Sequence, residues 1–197
     1  MRAEGGVVCA GSPAPPPPLR GGRDDGATRL DGAALEDLYV RLEKRLYNVV
    51  YRWVWAPDVA MDIVQESFLR LWQMRARVDM ATVEPLVFRI GVNLAANHRR
   101  RAWWRRWLSL EDAEEPASAS RGADALLAEA QRARAVRDAL EALPEGHRRV
   151  LLLCELSGMS YAEISSVLGI PPGTVASRRN TAVRRLRRRL AGEEMKL

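Results

Sequence analysis

The sequence predicts an all-α protein of two small helical domains joined by a flexible linker, the second domain ending in a helix-turn-helix. Apolar residues recur at spacings of three and four over most of 33–190, which is the period of amphipathic helices. Helix-capping and helix-breaking residues divide this pattern into segments. A stretch at 108–124, rich in Ser, Ala, Glu, Asp, Pro and Gly, has no apolar period and is predicted to be the linker.

The net charge favours a polyanionic partner, and the sequence contains no motif of a known class of enzyme. The chain has 197 residues and a net charge of +6. Its two cysteines, Cys9 and Cys154, lie far apart in the sequence and indicate no disulfide framework. The two cysteines and two histidines together do not have the spacing of metal ligands. We find no nucleophile–base set, phosphate loop or metal cluster in the sequence, so no enzyme and no cofactor are predicted. No apolar run approaches the roughly 18 residues of a membrane span, and the apolar stretch at the start is too short for a signal peptide. The sequence therefore predicts a cytoplasmic protein.

Residues 1–32 are predicted to be a disordered tail. Gly, Pro and charged residues dominate this segment, and the unbroken run Pro15–Pro18 favours polyproline II. Cys9 lies in the tail and is predicted to be an exposed bystander, not a redox sensor.

The first domain, 33–107, begins with a helix whose apolar positions are Leu35, Leu38, Leu42, Leu46, Val49 and Val50. A second helix at 58–74 carries a core face of Met61, Val64, Phe68, Leu71 and Trp72. Its other positions include Asp62, Gln65, Glu66 and Arg70. A polar, partly acidic face beside a large apolar one suits a partner protein, although a plain solvated surface would have the same pattern.

A third helix starts near Thr82 and Pro85, with Leu86, Ile90 and Leu94 predicted as its apolar stripe. Asn93 and Asn97 are four residues apart and share a face. The helix is predicted to end at Arg99–Arg101, followed by Trp103, Trp104 and Trp107 interleaved with arginine. That mixture is typical of proteins that bind single-stranded or melted DNA. The alternative is that these tryptophans pack back onto the three helices.

The second domain, 125–192, is predicted as four helices. One spans about 124–142 and is broken by Leu143-Pro144, and another spans 148–156. Ser160 and Glu163 then form a capping box, while Gly169 and Pro172 mark a tight turn before a long final helix. The last two helices therefore predict a helix-turn-helix.

The final helix is strongly cationic, with seven arginines between Arg178 and Arg189 and no acid from Ile164 through Arg189. A helical wheel places one apolar set inward, namely Val175, Ala182, Leu186 and Leu190. The opposite side, predicted to face the major groove of DNA, carries Ser177, Asn180, Thr181 and Arg184. Arg179 falls among the inward set and is predicted to snorkel. The alternative is that the arginines only face solvent and bind nothing. The capped helix and the turn that precede this helix disfavour that alternative.

Two blocks of the chain resemble bacterial RNA polymerase sigma factors of the extracytoplasmic-function (ECF) type. One combines DIVQESFLRLW at 62–72 with FRIGVNLAANHRRR at 88–101. The other is LPEGHRRVLLLCELSGMSYAEISSVLGIPPGTVASRRNTAVRRL at 143–186. With the helices between them they cover about 35–190, in the order and at the separation that the family shows. The resemblance implies a factor that directs RNA polymerase core to specific promoters and assists promoter melting.

The resemblance also implies a role for each surface. The polymerase contact would comprise Asp62, Gln65, Glu66 and Phe68. The reader of the melted minus-ten element would comprise Asn93, Asn97, Arg100 and Arg101. The reader of the duplex minus-thirty-five element would comprise Thr174, Ser177, Arg178, Asn180, Thr181 and Arg184. If an anti-sigma partner exists, the resemblance implies that it covers both domains.

Two other functions fit parts of the pattern. A stand-alone regulator would bind palindromic operator DNA as a dimer through the same helix-turn-helix, with its dimer interface in 35–107. An adaptor would bind a protein through the helix at 58–74, and its arginines would only solubilise it. Promoter-specific transcription that depends on core polymerase would distinguish a sigma factor from the stand-alone regulator and from the adaptor.

Overall fold

The computed structural model describes residues 30–108 and 123–194. Across these residues the regular structure is helical, which confirms the all-α prediction, with one short 3₁₀ turn at Arg75–Arg77. The helices are α1 (Gly32–Val54), α2 (Pro57–Gln73), α3 (Val83–Leu108), α4 (Ala123–Glu141), α5 (Glu145–Leu156), α6 (Tyr161–Leu168) and α7 (Pro172–Glu194). The predictions for Cys9, for Pro15–Pro18 and for most of the linker fall outside the described residues.

Helices α1, α2 and α3 pack against one another around a shared apolar core. The chain enters this core at Leu30, which is buried, and Asp31 caps α1 by accepting a hydrogen bond from the Ala34 N–H at 2.8 Å. The folded part therefore begins within the segment predicted as a tail. The buried set includes Leu38, Leu42, Leu46, Val50, Val64, Phe68, Leu71, Val87 and Phe88.

The core face of α3 differs from the predicted one. The predicted stripe of Leu86, Ile90 and Leu94 is only half-buried. The face that is buried carries Val87, Phe88, Gly91, Val92 and Ala95. The predicted stripe therefore borders the core face, with Leu86 and Leu94 packed against the edge of the core.

Gly91 lies where α3 closely approaches both α1 and α2. A Cβ at this position would lie 2.8 Å from Leu46 Cδ1 and 3.2 Å from Ser67 Oγ. Ser67 is itself buried, and its hydroxyl donates a hydrogen bond to the Ile63 carbonyl at 2.6 Å. The absence of a side chain on α3 is therefore what lets α1 and α2 pack against it here.

We expect Gly91→Ala to lower the free energy of unfolding. Overpacking costs about 1–3 kcal/mol, and the better helix propensity of alanine, about 1 kcal/mol, offsets part of it. Urea denaturation followed by circular dichroism measures the difference. Gly32→Ala is the matched control, because a Cβ there meets nothing within 4 Å. Equal stability of Gly91→Ala and the wild type would show that Leu46 and Ser67 have room to move.

Helices α5, α6 and α7 form a second cluster, with α4 packed along α7. Its buried set includes Leu140, Leu143, Val150, Leu151, Leu153, Ile164, Val167, Val175 and Ala182. Cys154, which was predicted to be a small buried residue, is half-buried, and this burial raises the pKa of its thiol. The two clusters touch each other, because α5 packs against α1 and α6 packs against α3.

Candidate nucleic-acid interface

Local hydrogen bonds cap both ends of α6, the first helix of the helix-turn-helix. The Ser160 hydroxyl accepts from the Glu163 N–H, and the Glu163 carboxylate accepts from the Ser160 N–H at 2.7 Å, which confirms the predicted capping box. The Ser160 hydroxyl also donates to the Glu163 carboxylate at 2.7 Å, and this bond, followed by the one from the Ser160 N–H, lowers the pKa of Glu163. At the other end Gly169 adopts φ 65°, and its N–H donates to the Ser165 carbonyl at 2.8 Å. Both helix ends are therefore fixed by the residues that the sequence places there.

Helix α7 presents one side to α5 and α6 and the opposite side to solvent. Val175 and Ala182 are fully buried, as the wheel predicts, and Leu186 and Leu190 are half-buried. On the opposite side Ser177, Asn180 and Arg184 are exposed. Thr174 and Thr181 are half-buried at the edges of this exposed side. Polar and cationic side chains thus share an open helix face of the kind that enters a major groove.

Arg178 lies at the border of that face and turns toward the first turn of α5. A Cβ added to Gly146 would lie 3.2 Å from Arg178 Nη1. Arg178 also lines a cleft of about 150 Å³ together with Glu145 and Arg149. Burial, and then the nearby Arg185 and Arg178, lower the pKa of His147, so this imidazole is neutral at neutral pH. The positive charge of this corner therefore comes from arginine.

Arg179 has a different role from its neighbours on α7. Its guanidinium pairs with the Glu155 carboxylate of α5, at 2.9 Å from Nε and 2.8 Å from Nη2. The predicted snorkelling therefore ends on a carboxylate at the surface of the cluster. Arg179 is thus committed to joining α7 to α5.

A second polar surface lies on α3. Asn93 and Asn97 are both exposed, and Arg100 donates to the Asn97 Oδ1 at 3.0 Å. Arg101 is exposed one residue further on. The prediction that this helix ends at Arg101 was wrong, because α3 continues to Leu108 and no glycine or proline interrupts 102–108. The side chains of Trp103, Trp104 and Trp107 lie outside the described set.

A third surface, on α2, combines acids, an amide and one exposed leucine. Asp62 and Gln65 are exposed, and Glu66 pairs with Arg70 at 2.7 Å. Leu69, which is 51% exposed, lies on the same face as Asp62 and Gln65 by helical spacing. The sequence reasoning missed Leu69, although a wheel of α2 would have placed it there.

Phe68 does not belong to the exposed face of α2. It is 5% exposed, and its ring packs edge-on against Tyr39 with centroids 4.9 Å apart. Its side chain therefore holds α2 against α1 and is not presented to a partner.

Neither a metal-binding cluster nor a membrane span is found in the part of the chain that the structure describes. Within 30–108 and 123–194 no three of His, Cys, Asp and Glu converge in a way that could hold a metal ion. None of the helices in these ranges is both long enough and apolar enough to cross a membrane.

Comparison with known families gives two matches within this chain. Residues 38–105 match the family model for Sigma-70 region 2, and residues 133–186 match that for Sigma-70, region 4. RNA polymerase sigma factor CarQ of Myxococcus xanthus is 32% identical over 174 residues, covering 85% of this chain and 96% of CarQ. ECF RNA polymerase sigma factor SigL of Mycobacterium tuberculosis is 33% identical over 174 residues, covering 84% and 93%. The match to SigE of Mycolicibacterium smegmatis is 30% identical and covers 75% of this chain but 58% of SigE.

Two solved structures have a similar fold. CnrH, in complex with the cytosolic domain of CnrY, superposes with a TM-score of 0.62 at 23% identity, covering 83% of this chain and 91% of CnrH. The sigma factor RpoE of Bartonella quintana, in complex with the anti-sigma factor NepR, gives 0.60 at 22% identity, covering 79% and 95%.

Proposed function

Because the chain belongs to the sigma-70 family, as a sigma factor of the ECF type that directs RNA polymerase to promoters, we propose that its two helix clusters divide promoter recognition between them. The cluster α5–α7 reads the duplex minus-thirty-five element, and α3 holds the melted minus-ten element. The face of α2 docks on core polymerase. The chain performs no chemistry of its own, and it acts in the cytoplasm, where polymerase transcribes.

The open side of α7 supports the first of these roles. Asn180 and Ser177 are short polar side chains that suit hydrogen bonding to base edges. Arg184 is exposed two turns beyond Ser177, and Arg178 lies at the border, so both suit phosphate oxygens. Thr174 and Thr181, at the edges, extend the same face.

The exposed face of α3 supports the second role. Asn93 and Asn97 offer amides for the Watson–Crick edge of an extruded base, and the hydrogen bond from Arg100 orients Asn97. Arg100 and Arg101 place positive charge one turn further along, where the backbone of a single strand would run. We propose that melting is assisted because these groups bind the open strand and not the duplex.

The domain division follows the helix clusters. We propose a first domain at 33–107, extended at its start to include Leu30 and Asp31, and a second at 125–192. Each carries one weak DNA contact, and polymerase raises the effective concentration of each by holding both. CnrH and RpoE were solved with CnrY and with the anti-sigma factor NepR, and we propose a comparable anti-sigma partner for this chain.

The observation that carries this proposal is that the two exposed recognition faces, on α3 and α7, lie in separate clusters of one chain. The test is transcription with purified chain, core polymerase and a library of promoter fragments. We expect specific transcripts only when chain and core are both present. A chain that alone selects palindromic duplexes as a dimer, with or without core, would establish a stand-alone regulator instead.

Arg184→Ala is expected to weaken binding of minus-thirty-five duplex by the holoenzyme and to reduce its salt dependence. Each phosphate contact contributes about 0.9 to the slope of log K against log salt, so the slope should fall by about 1. Fluorescence anisotropy from low to moderate salt measures this. Arg41→Ala is the control, because Arg41 is exposed on α1 and pairs with Asp37 at 2.9 Å. An unchanged slope for Arg184→Ala would place that side chain away from the DNA.

A further inference from the structure

Three aromatic side chains form a ladder along one side of α1. The rings of Tyr47 and Tyr51 are nearly parallel, at 5° to each other, with centroids 5.8 Å apart. Trp55 follows edge-on, with its ring centroid 5.8 Å from that of Tyr51. All three side chains are half-buried, because they pack against the edge of the core. This aromatic ladder, Tyr47, Tyr51 and Trp55, therefore keeps part of its surface open to solvent.

Cations flank the aromatic ladder. The guanidinium carbon of Arg52 lies 5.7 Å from the ring centroid of Tyr51, and that of Arg137, on α4, lies 5.3 Å from that of Trp55. Lys44 is exposed and lies on the same side of α1 as Tyr51 by helical spacing. Two copies of this face brought together would place like charges opposite each other, which disfavours a contact between identical chains. A suitable occupant would offer apolar rings and carry no positive charge where it touches the ladder.

We propose that the aromatic ladder is the docking site of the proline segment in this chain's own tail, residues 13–18, which reads PAPPPP. Proline-rich segments dock on surfaces lined by aromatic side chains, because polyproline II is already formed before binding and little entropy is lost. Polyproline II has no internal hydrogen bonds, so its carbonyls can accept from tyrosine hydroxyls. The inference goes beyond the proposed function and does not depend on it.

The dimensions of the proline segment match those of the ladder. Polyproline II repeats every three residues and rises about 3.1 Å per residue, so Pro15 and Pro18 point to the same side about 9 Å apart. The ladder runs about 12 Å along α1 from Tyr47 to Trp55, at about 1.5 Å per residue. Residues 12–18 carry no charged side chain, so the flanking cations do not repel them. Both ends of the segment can therefore contact the ladder at once.

The tail is also long enough to reach the ladder. It joins the folded part at Leu30, which is buried beside the start of α1. From that start Tyr47 is about 24 Å along the helix, and Trp55 is about 36 Å along it. The chain from Leu30 back to Pro18 can extend to about 40 Å, and back to Pro15 to about 50 Å, at about 3.3 Å per residue. The proline segment thus reaches the whole ladder within one chain.

The connection makes a weak contact sufficient. Residues 19–29 include Gly21, Gly22 and Gly26, a composition typical of a flexible linker. A short flexible linker holds the segment at an effective concentration of about 1 mM near its site. If the separate pieces bound with a dissociation constant of about 1 mM, about half of the chains would be docked.

The test is a distance measurement on the full chain between spin labels at Ser12→Cys and Asp58→Cys, in a Cys9→Ser, Cys154→Ala background. Ser12 directly precedes the proline segment, and Asp58 is exposed just beyond Trp55. Docking should bring the two labels close together. We expect about half of the chains or more to give one short, narrow distance distribution.

Two sets of substitutions should abolish the short distance. Replacing the tail prolines, in the quadruple variant Pro15→Ser, Pro16→Ser, Pro17→Ser and Pro18→Ser, removes the rings and the polyproline II preference without touching the helices. The double variant Tyr47→Gln, Tyr51→Gln removes the docking surface while keeping residues that favour a helix. Tyr161→Gln is the matched control, because Tyr161 is 40% exposed on α6 and lies outside the ladder. It should leave the distances unchanged.

A binding measurement accompanies the distances. A fluorescent peptide with the sequence of residues 12–20 should bind the quadruple proline variant, and it should bind the wild type about 2-fold more weakly, because the chain's own tail competes. The double tyrosine variant should not bind the peptide. Fluorescence anisotropy measures all three.

Only long, broad distances in the wild type would overturn the proposal. A short distance that survives in the quadruple proline variant would also overturn it, since the tail would then dock through other residues. If circular dichroism shows that the double tyrosine variant is unfolded, the proline variant and the peptide decide. A short distance that disappears when labelled chain is mixed with excess unlabelled chain would mean that the tail docks on a second copy, which would overturn docking within one chain.

Discussion

Leu69→Arg in α2 is expected to weaken binding of the chain to core polymerase by about 30-fold or more, which corresponds to the loss of a hot-spot side chain. Leu69 is 51% exposed, with Asp62 and Gln65 on the same face. An apolar side chain surrounded by polar ones is the usual anatomy of an interface centre and its rim. Arginine at this position would have to be desolvated on docking, so both affinity and core-dependent transcription should fall.

The exposure of Leu69 makes this a clean experiment. An arginine on a solvent-facing position should not change the free energy of unfolding by more than about 0.5 kcal/mol. Val40→Arg is the matched control, since Val40 is 74% exposed on α1 and lies outside the α2 face. Biolayer interferometry with immobilised core measures both variants. Wild-type affinity of Leu69→Arg would show that polymerase docks on another surface.

Local signals explain how well the helix-turn-helix could be predicted. Ser160, Glu163 and Gly169 act within their own turns, so their sequence spacing already contains the geometry. The wheel of α7 succeeded for a related reason. Its apolar positions, Val175 and Ala182, are few and stand out clearly against the arginines.

Long-range contacts explain where prediction from sequence stopped. Arg45 and Arg148 bind carbonyls 112 and 95 or 96 residues away, and nothing in their own neighbourhood marks them as buried or directed inward. A charged residue on a helix is ordinarily expected at the surface. Gly91 is a similar case, because its importance comes from Leu46 and Ser67 on two other helices.

Asn93→Ala is expected to reduce initiation from a double-stranded promoter by about 10- to 100-fold, the effect of losing about 1–3 kcal/mol of base recognition. Affinity for core should be unchanged, because Asn93 lies on the exposed face of α3 and not on α2. If the side chain stabilises an extruded base, part of its binding free energy offsets the cost of unpairing the duplex. The defect should therefore shrink on a template whose minus-ten region is already mismatched and open.

Asn180→Ala provides the contrasting variant for this experiment. Asn180 is an exposed amide like Asn93, but it lies on α7 and faces the proposed duplex contact. Its defect in initiation should have the same size on the closed and on the pre-opened template, since the two templates share the same minus-thirty-five duplex. Run-off transcription with both variants on both templates measures the four rates. If the defect of Asn93→Ala were the same on the two templates, Asn93 would contact the DNA before it opens. The α3 face would then bind duplex DNA.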